Sequence, residues 1–206
     1  MKEKLIIWMF VAAVVLVPSG VYGIVKWYEQ SYTRLPVLGE PGHLVSDFTV
    51  RDQYGKQKGL QDWKGKIVVA NLFFTHCPVV CPKMIRNLKT VRKSYAGDTG
   101  LLLASFSVDP VRDSSSRLKE FAGRMHIEEG WQLLTGDKRE IYRLARKSLL
   151  AVATDGDGGE GDFIHSEQLV LIDPDQRIRG FYKGTEEEEA KKLFADIKRL
   201  KKEYAH

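Results

Sequence analysis

The sequence predicts an α/β fold, on three observations. Residues 67–74 and 101–108 are continuous apolar runs, rich enough in apolar side chains to be buried on both faces of a sheet. Between them Met84, Ile85, Leu88, Val91 and Tyr95 recur at helical spacing, so strand, helix and strand form a crossover unit with parallel pairing. Toward the C-terminus Gln168–Ile172 and residues 178–182 flank Asp173-Pro174-Asp175-Gln176, a turn sequence that predicts a hairpin.

In chain order, residues 1–4 form a short terminus before residues 5–25, a run of 21 without a charge, interrupted only by Pro18, Ser19, Gly20 and Gly23. A membrane helix needs about 20 apolar residues, whereas the core of a secretory signal has about 7–15, so the run is expected to be a transmembrane anchor. Val21-Tyr22-Gly23 leaves cleavage open as an alternative, and no cysteine follows to carry a lipid. Lys2 and Lys4 face Lys26 and Arg34 across the run, a slight bias. The simplest topology is single-pass in the cell membrane, with residues 1–4 cytoplasmic and a long domain on the extracytoplasmic, periplasmic side, where disulfides persist. Residues 26–40 read as a polar linker and residues 41–206 as the domain.

Within that domain residues 46–50 alternate as a strand, Asp52-Gln53-Tyr54-Gly55 is turn-like, and residues 57–60 return as a short second strand. Gly97 is a stop for the helix after the run 67–74. Leu118, Phe121, Ala122 and Met125 mark the next helix, residues 131–134 a short strand, and Ile141, Leu144 and Ala145 another helix. Residues 154–162, Thr-Asp-Gly-Asp-Gly-Gly-Glu-Gly-Asp, form an acidic loop that lacks the spacing of an EF-hand calcium site. Ala190, Leu193, Phe194, Ile197 and Leu200 give a closing amphipathic helix. With 206 residues, 43% of them hydrophobic, one core is expected. The net charge of +5 is spread over helix faces among acidic neighbours; with no zinc-ligand array or aromatic RNA-binding strand, a nucleic-acid partner is not expected.

Both cysteines of the chain, Cys77 and Cys81, lie in Thr75-His76-Cys77-Pro78-Val79-Val80-Cys81-Pro82, between the first buried strand and its helix. A structural staple normally closes a much longer loop, so the pair points to chemistry: a redox couple or a grip on a soft metal. Pro82 cannot sit inside a regular helix and is expected as its first residue. Cys81 then stands at the N-cap, where the helix end favours thiolate. Sites in open parallel sheets form beyond the carboxyl ends of the strands, and Asp109 ends the next strand. There it would orient a ligand, take a proton or help a partner dock; alternatively it opens an Asp-Pro turn, with Asp113 or Ser114 capping the next helix. Two thiolates hold Cu(I), and a third ligand tightens the site and admits Cu(II). His165, between the acidic loop and strand Gln168–Ile172, is the first candidate and His76 the second. His43, His126 and His206 have no motif around them, and Met84 and Met125 fall on apolar helix stripes as core residues.

Three blocks in order, 74–82, then Phe106-Ser107-Val108-Asp109-Pro110-Val111-Arg112-Asp113, then His165-Ser166 followed by Leu171-Ile172-Asp173-Pro174, resemble the Sco (SenC) family over residues 40–205. The resemblance implies a thioredoxin-like three-layer α/β/α sandwich with a central mixed sheet, here preceded by one N-terminal transmembrane helix. It also implies copper, Cu(I) or Cu(II), bound by Cys77, Cys81 and His165. Such proteins deliver copper to, or reduce the cysteines of, the dinuclear copper centre in subunit II of cytochrome c oxidase. The implied partner is therefore that subunit or another cupredoxin-type copper protein. The implied alternative function is a thiol-disulfide oxidoreductase working through Cys77 and Cys81. Many relatives carry an acidic residue between the cysteines, where this chain has Val79-Val80.

Overall fold

The computed structural model describes the backbone of residues 2–32, 34–127, 129–152, 156, 158–159 and 162–205; within the first helix it describes the side chains of residues 4, 8, 12 and 14–28. The chain divides into two compact units, residues 1–34 and 35–206.

The first unit contains one helix, α1 (Lys2–Tyr32), with Pro18 inside it. Among the described residues no helix is long and apolar enough to cross a membrane. Of the expected span 5–25, the side chains of Leu5, Ile6, Ile7, Met9, Phe10, Val11 and Ala13 lie outside the described residues.

The second unit is built on one mixed seven-stranded sheet. Its strands are β1 (Thr49–Asp52), β2 (Gln57–Gly59), β3 (Ile67–Phe73), β4 (Leu101–Ser107), β5 (Trp131–Thr135), β6 (Gln168–Ile172) and β7 (Ile178–Lys183), in the order β2-β1-β5-β4-β3-β6-β7. β3, β4 and β5 pair in parallel, and the others join antiparallel. Every residue of β3 and β4 is buried, as their unbroken apolar runs require. One face is covered by α2 (Val80–Ser94), α3 (Ser115–Arg124) and α5 (Glu187–Glu203), which bury Met84, Leu88, Leu118, Leu193 and Ile197 against Val69, Leu103 and Leu171. The other is covered by α4 (Lys138–Arg143), its π-turn continuation Leu144–Ser148 and the 3-10 turn Leu60–Trp63. The α/β/α layers of the expected sandwich are therefore present.

Three boundaries differ from the sequence expectation by more than one residue, each for a local reason. The first strand falls at Thr49–Asp52 instead of 46–50, because pairing begins where Thr49 meets Gly59 and ends where Asp52 meets Leu134. Its preceding segment buries Val45 and Phe48 without ladder bonds. α2 starts at Val80, two residues before Pro82. The first four helical N–H groups have no intrahelical acceptor, so a proline at the third position forfeits no bond there. The linker expected over 26–40 is helical through Tyr32, and from Leu35 the chain belongs to the second unit. Leu35 is buried, Leu38 N–H donates to Ile178 O at 2.8 Å, and the buried Arg179 donates to Leu35 O and Pro36 O at 2.5 and 3.1 Å.

Candidate metal centre

The site begins where β3 ends. Phe74 leaves the strand, and the Cys77 N–H returns to Phe74 O at 3.2 Å, closing a tight turn. Val79 is the N-cap of α2 and offers no side-chain acceptor. Cys77 Sγ takes that part instead, accepting the Cys81 N–H at 3.2 Å. Cys81 is thus the second residue of the helix, not its cap, and at 4% exposure it packs with the core beneath α2. This runs against the expectation that the helix end favours thiolate at Cys81. Burial pushes the Cys81 thiol up to about 12, and the hydrogen bond with Cys77 and the nearby charges of Cys77 and Asp113 add to the rise. Both cysteines are free thiols, with Cys77 the more accessible.

His165 enters from the far side. It lies just before β6, where the Ser166 hydroxyl donates to Ala151 O at 2.7 Å and accepts the Gln168 N–H at 3.1 Å. Its exposed imidazole stands edge-on to Phe163 at 4.8 Å and to Phe74 at 6.3 Å between ring centres. Upstream, Arg146 grips Asp162 through two hydrogen bonds of 2.7 Å, and the Gly158 N–H adds a third at 2.8 Å. The Arg146 guanidinium holds the Asp162 carboxyl down to about 2. Of the acidic loop expected over 154–162, Thr154, Asp155, Asp157, Glu160 and Gly161 lie outside the described residues.

Cys77, Cys81 and His165 line one cavity of about 430 Å³, whose other walls are largely apolar, with Phe74, Val79, Val80 and Val108 among them. Among the described residues no three His, Cys, Asp or Glu side chains stand close enough together to hold a metal ion, so the three share a cavity without a common centre. Their chemistry nonetheless fits copper: two sulfurs and an imidazole in an apolar surround are the donors that ion selects.

The other expected site residues fall elsewhere. Asp109 lines not this cavity but a neighbouring one of about 760 Å³, where Arg112 approaches its carboxylate at 3.7 Å. His76 lines that second cavity too, with both ring nitrogens engaged. Arg117 donates to Nε2 at 3.0 Å, so Nδ1 carries the proton and donates to Thr75 Oγ1 at 3.2 Å. His43 binds Ser148 O at 2.9 Å, Met84 is core, Met125 packs at its edge, and His206 lies outside the described residues. Ser114 caps α3, which frees Asp113 for a different part. Asp113 is fully buried beside the thiol loop and accepts hydrogen bonds from Thr75 and Ser107. Sequence reasoning missed that role; its one signal was a second acid four residues after Asp109 at the same strand end.

A family model described as SCO1/SenC matches residues 38–202. The chain belongs to the SCO1/SenC family. It is 32% identical over 157 residues to the SCO1 protein homolog of Bacillus subtilis (strain 168), covering 75% of this chain and 81% of that one. It spans 62%, 52% and 54% of the mitochondrial SCO2 homologues of Mus musculus, Bos taurus and Danio rerio. Among solved structures it is similar to BsSco, described as a Sco-family cytochrome c oxidase assembly protein with a disulfide switch: TM-score 0.68, 30% identity, 82% of this chain and 98% of that one. It is likewise similar to Bradyrhizobium japonicum ScoI with copper bound, at TM-score 0.61 and 27% identity, over 76% of this chain and 99% of that one. The expected thioredoxin-like Sco fold is the one observed.

Proposed function

We propose that this SCO1/SenC chain is a copper metallochaperone of respiratory oxidase assembly, which takes copper on Cys77, Cys81 and His165. The observation that carries this is the single cavity lined by those three side chains, in a fold whose relative ScoI has been solved with copper bound. The two sulfurs come from one turn and hold Cu(I) as a pair, while the imidazole comes from a separate segment and completes the set. His165 is the exposed member, so an incoming thiolate or imidazole of the acceptor displaces it first, and copper passes by ligand exchange without release. The acceptor is the dinuclear copper centre of cytochrome c oxidase subunit II or another cupredoxin-type protein. The uncharged run 5–25 anchors the chain in the cell membrane, with the copper domain on the periplasmic side.

Copper stoichiometry of the reduced full-length chain tests the ligand set. Wild type is expected to retain one copper ion per chain against a competing chelator, and His165→Ala to lose most of that retention. Tight binding unchanged by His165→Ala would sink the three-ligand site.

A second function, thiol-disulfide exchange on partner cysteines, is favoured by the 3.2 Å contact from the Cys81 N–H to Cys77 Sγ, which places the two free thiols side by side. There Cys77, the more accessible thiol, attacks a partner disulfide and Cys81 resolves the mixed disulfide, leaving Cys77 and Cys81 oxidised and the partner's two thiols reduced. Restoration of oxidase activity in a deletion strain separates the two. Metal delivery requires all three residues, whereas exchange requires the cysteines and tolerates His165→Ala.

A further inference from the structure

The thiol loop is held by a group that is neither in the motif nor on its strand. Asp113 lies in the turn between β4 and α3, its side chain wholly buried. Its Oδ1 accepts the Thr75 hydroxyl at 2.5 Å, and its Oδ2 accepts the Thr75 N–H at 3.0 Å and the Ser107 hydroxyl at 2.6 Å. Among the described residues no cation pairs with it. A buried carboxylate without a counter-ion is expensive to keep, and only its three donors make it tolerable. Those donors are placed by the parallel pairing of β3 with β4. Phe73 lies opposite Ser107, the Val108 N–H donates to Phe73 O at 2.9 Å, and both strands therefore end at the same level. The turn carrying the carboxylate is closed on itself, since the Arg112 and Asp113 N–H groups both donate to Asp109 O, at 3.1 and 2.9 Å. From Thr75 the chain of contacts runs on through His76 to Arg117 on α3. Thr75 stands between Phe74, whose carbonyl receives the Cys77 N–H, and the cysteines themselves. Fixing both its N–H and its hydroxyl fixes the direction in which the thiol turn leaves the sheet.

We propose that Asp113, acting through Thr75, is the positioning residue of the metal centre: its carboxylate clamps the residue from which the Cys77 turn departs and so sets where Cys77 Sγ meets the Cys81 N–H and the cavity facing His165. This rests on the assignment of Cys77, Cys81 and His165 as the copper ligands. Partners that orient ligands in this way commonly govern metal affinity by about 10–100-fold. The position of the clamp also accounts for a buried serine and a buried aspartate converging with the half-buried Thr75 at a strand end where apolar residues would pack more cheaply.

The experiment uses the full-length reduced chain in detergent and three variants. Asp113→Asn turns one oxygen into a donor that faces donors, Thr75→Val removes the hydroxyl alone, and Thr75→Ser keeps it. Two quantities are read: Cu(I) affinity by competition with bathocuproine disulfonate, and the iodoacetamide rate at Cys77 in the metal-free protein by mass spectrometry. Cu(I) affinity is expected to fall about 10-fold or more in Asp113→Asn and Thr75→Val. Thr75→Ser should stay near wild type, and the Cys77 rate should change in the first two variants only. Wild-type values of both quantities in Asp113→Asn and Thr75→Val overturn the proposal, even if their melting temperatures fall. If Asp113→Asn does not fold, Thr75→Val decides alone. If wild type itself retains no copper, the copper assignment fails, and the Cys77 rate still decides the clamp: a changed rate upholds it and an unchanged one overturns it.

Discussion

Cys77 and Cys81 share a motif but not an environment. Cys81 belongs to the core under α2, and its thiol is pushed up to about 12 first by burial and then by the neighbouring sulfur and the Asp113 carboxylate. A thiol so placed is a poor nucleophile at neutral pH, because the reactive species is the thiolate. Iodoacetamide at pH 8 is therefore expected to modify Cys77 well before Cys81 in the metal-free reduced chain, and labelling of Cys81 should accelerate as the pH is raised toward 12. Peptide mass spectrometry of a time course reads this directly, and equal rates at pH 8 would contradict it. A metal changes the balance. A coordinating cation replaces the proton on each sulfur and offsets the nearby carboxylate, so copper loading should protect both cysteines from the same reagent.

Among the elements, the β6–β7 hairpin shows how much structure one carboxylate organises. Asp173 is buried and accepts from the Asp175 and Arg177 N–H groups at 3.0 and 2.9 Å, from Arg177 Nε at 3.0 Å and from Arg179 Nη1 at 2.8 Å. Burial works against its ionisation, but the Arg177 N–H and the two guanidinium groups outweigh that and hold the carboxyl below its usual range. Replacing one member of a buried pair strands the other, so Asp173→Asn is expected to lose about 3–5 kcal/mol in urea unfolding at pH 7. A carboxyl whose folded value is depressed stabilises fully above its unfolded value, near 3.9, and loses that stabilisation as pH falls through the folded value. The gap between wild type and Asp173→Asn should thus narrow below about pH 4; a gap that stays constant to pH 2 would mean the loss is one of packing. The hairpin was legible in sequence because Asp173-Pro174-Asp175-Gln176 is local turn chemistry, and β3 and β4 were legible because apolar runs report burial on both faces. Asp113 was not legible as a clamp. Its partner Thr75 is 38 residues away, and nothing in local pattern distinguishes a buried acceptor from the helix cap that Ser114 supplies.

At the scale of the whole domain, the site exists because sheet order gathers three distant segments. β4, β3 and β6 are neighbours, so the turns after β3 and β4 and the segment before β6 meet at one end of the sheet. The cysteine motif and His165 were visible as residue types, but the shared cavity depends on pairings no local spacing encodes. The same long-range logic moves the edge of the domain. The segment expected to be a polar linker supplies Leu35 to the core and the Leu35 and Pro36 carbonyls to Arg179, whose side chain is 1% exposed and also pairs with Asp173 and Glu203. Removing residues 1–34 leaves all of this in place, whereas removing residues 1–40 deletes a buried leucine, worth about 1.5–3 kcal/mol, and leaves a buried guanidinium short of two acceptors. For a domain of this size each kcal/mol shifts melting by about 2–4 °C, so 41–206 is expected to melt on the order of 10 °C below 35–206. Calorimetry of the two truncations, each with its cysteines reduced, decides it. Equal melting temperatures would show that Arg179 finds other partners and that the domain begins after residue 40; the expected gap places the start of the folded domain at Leu35, ahead of the first strand.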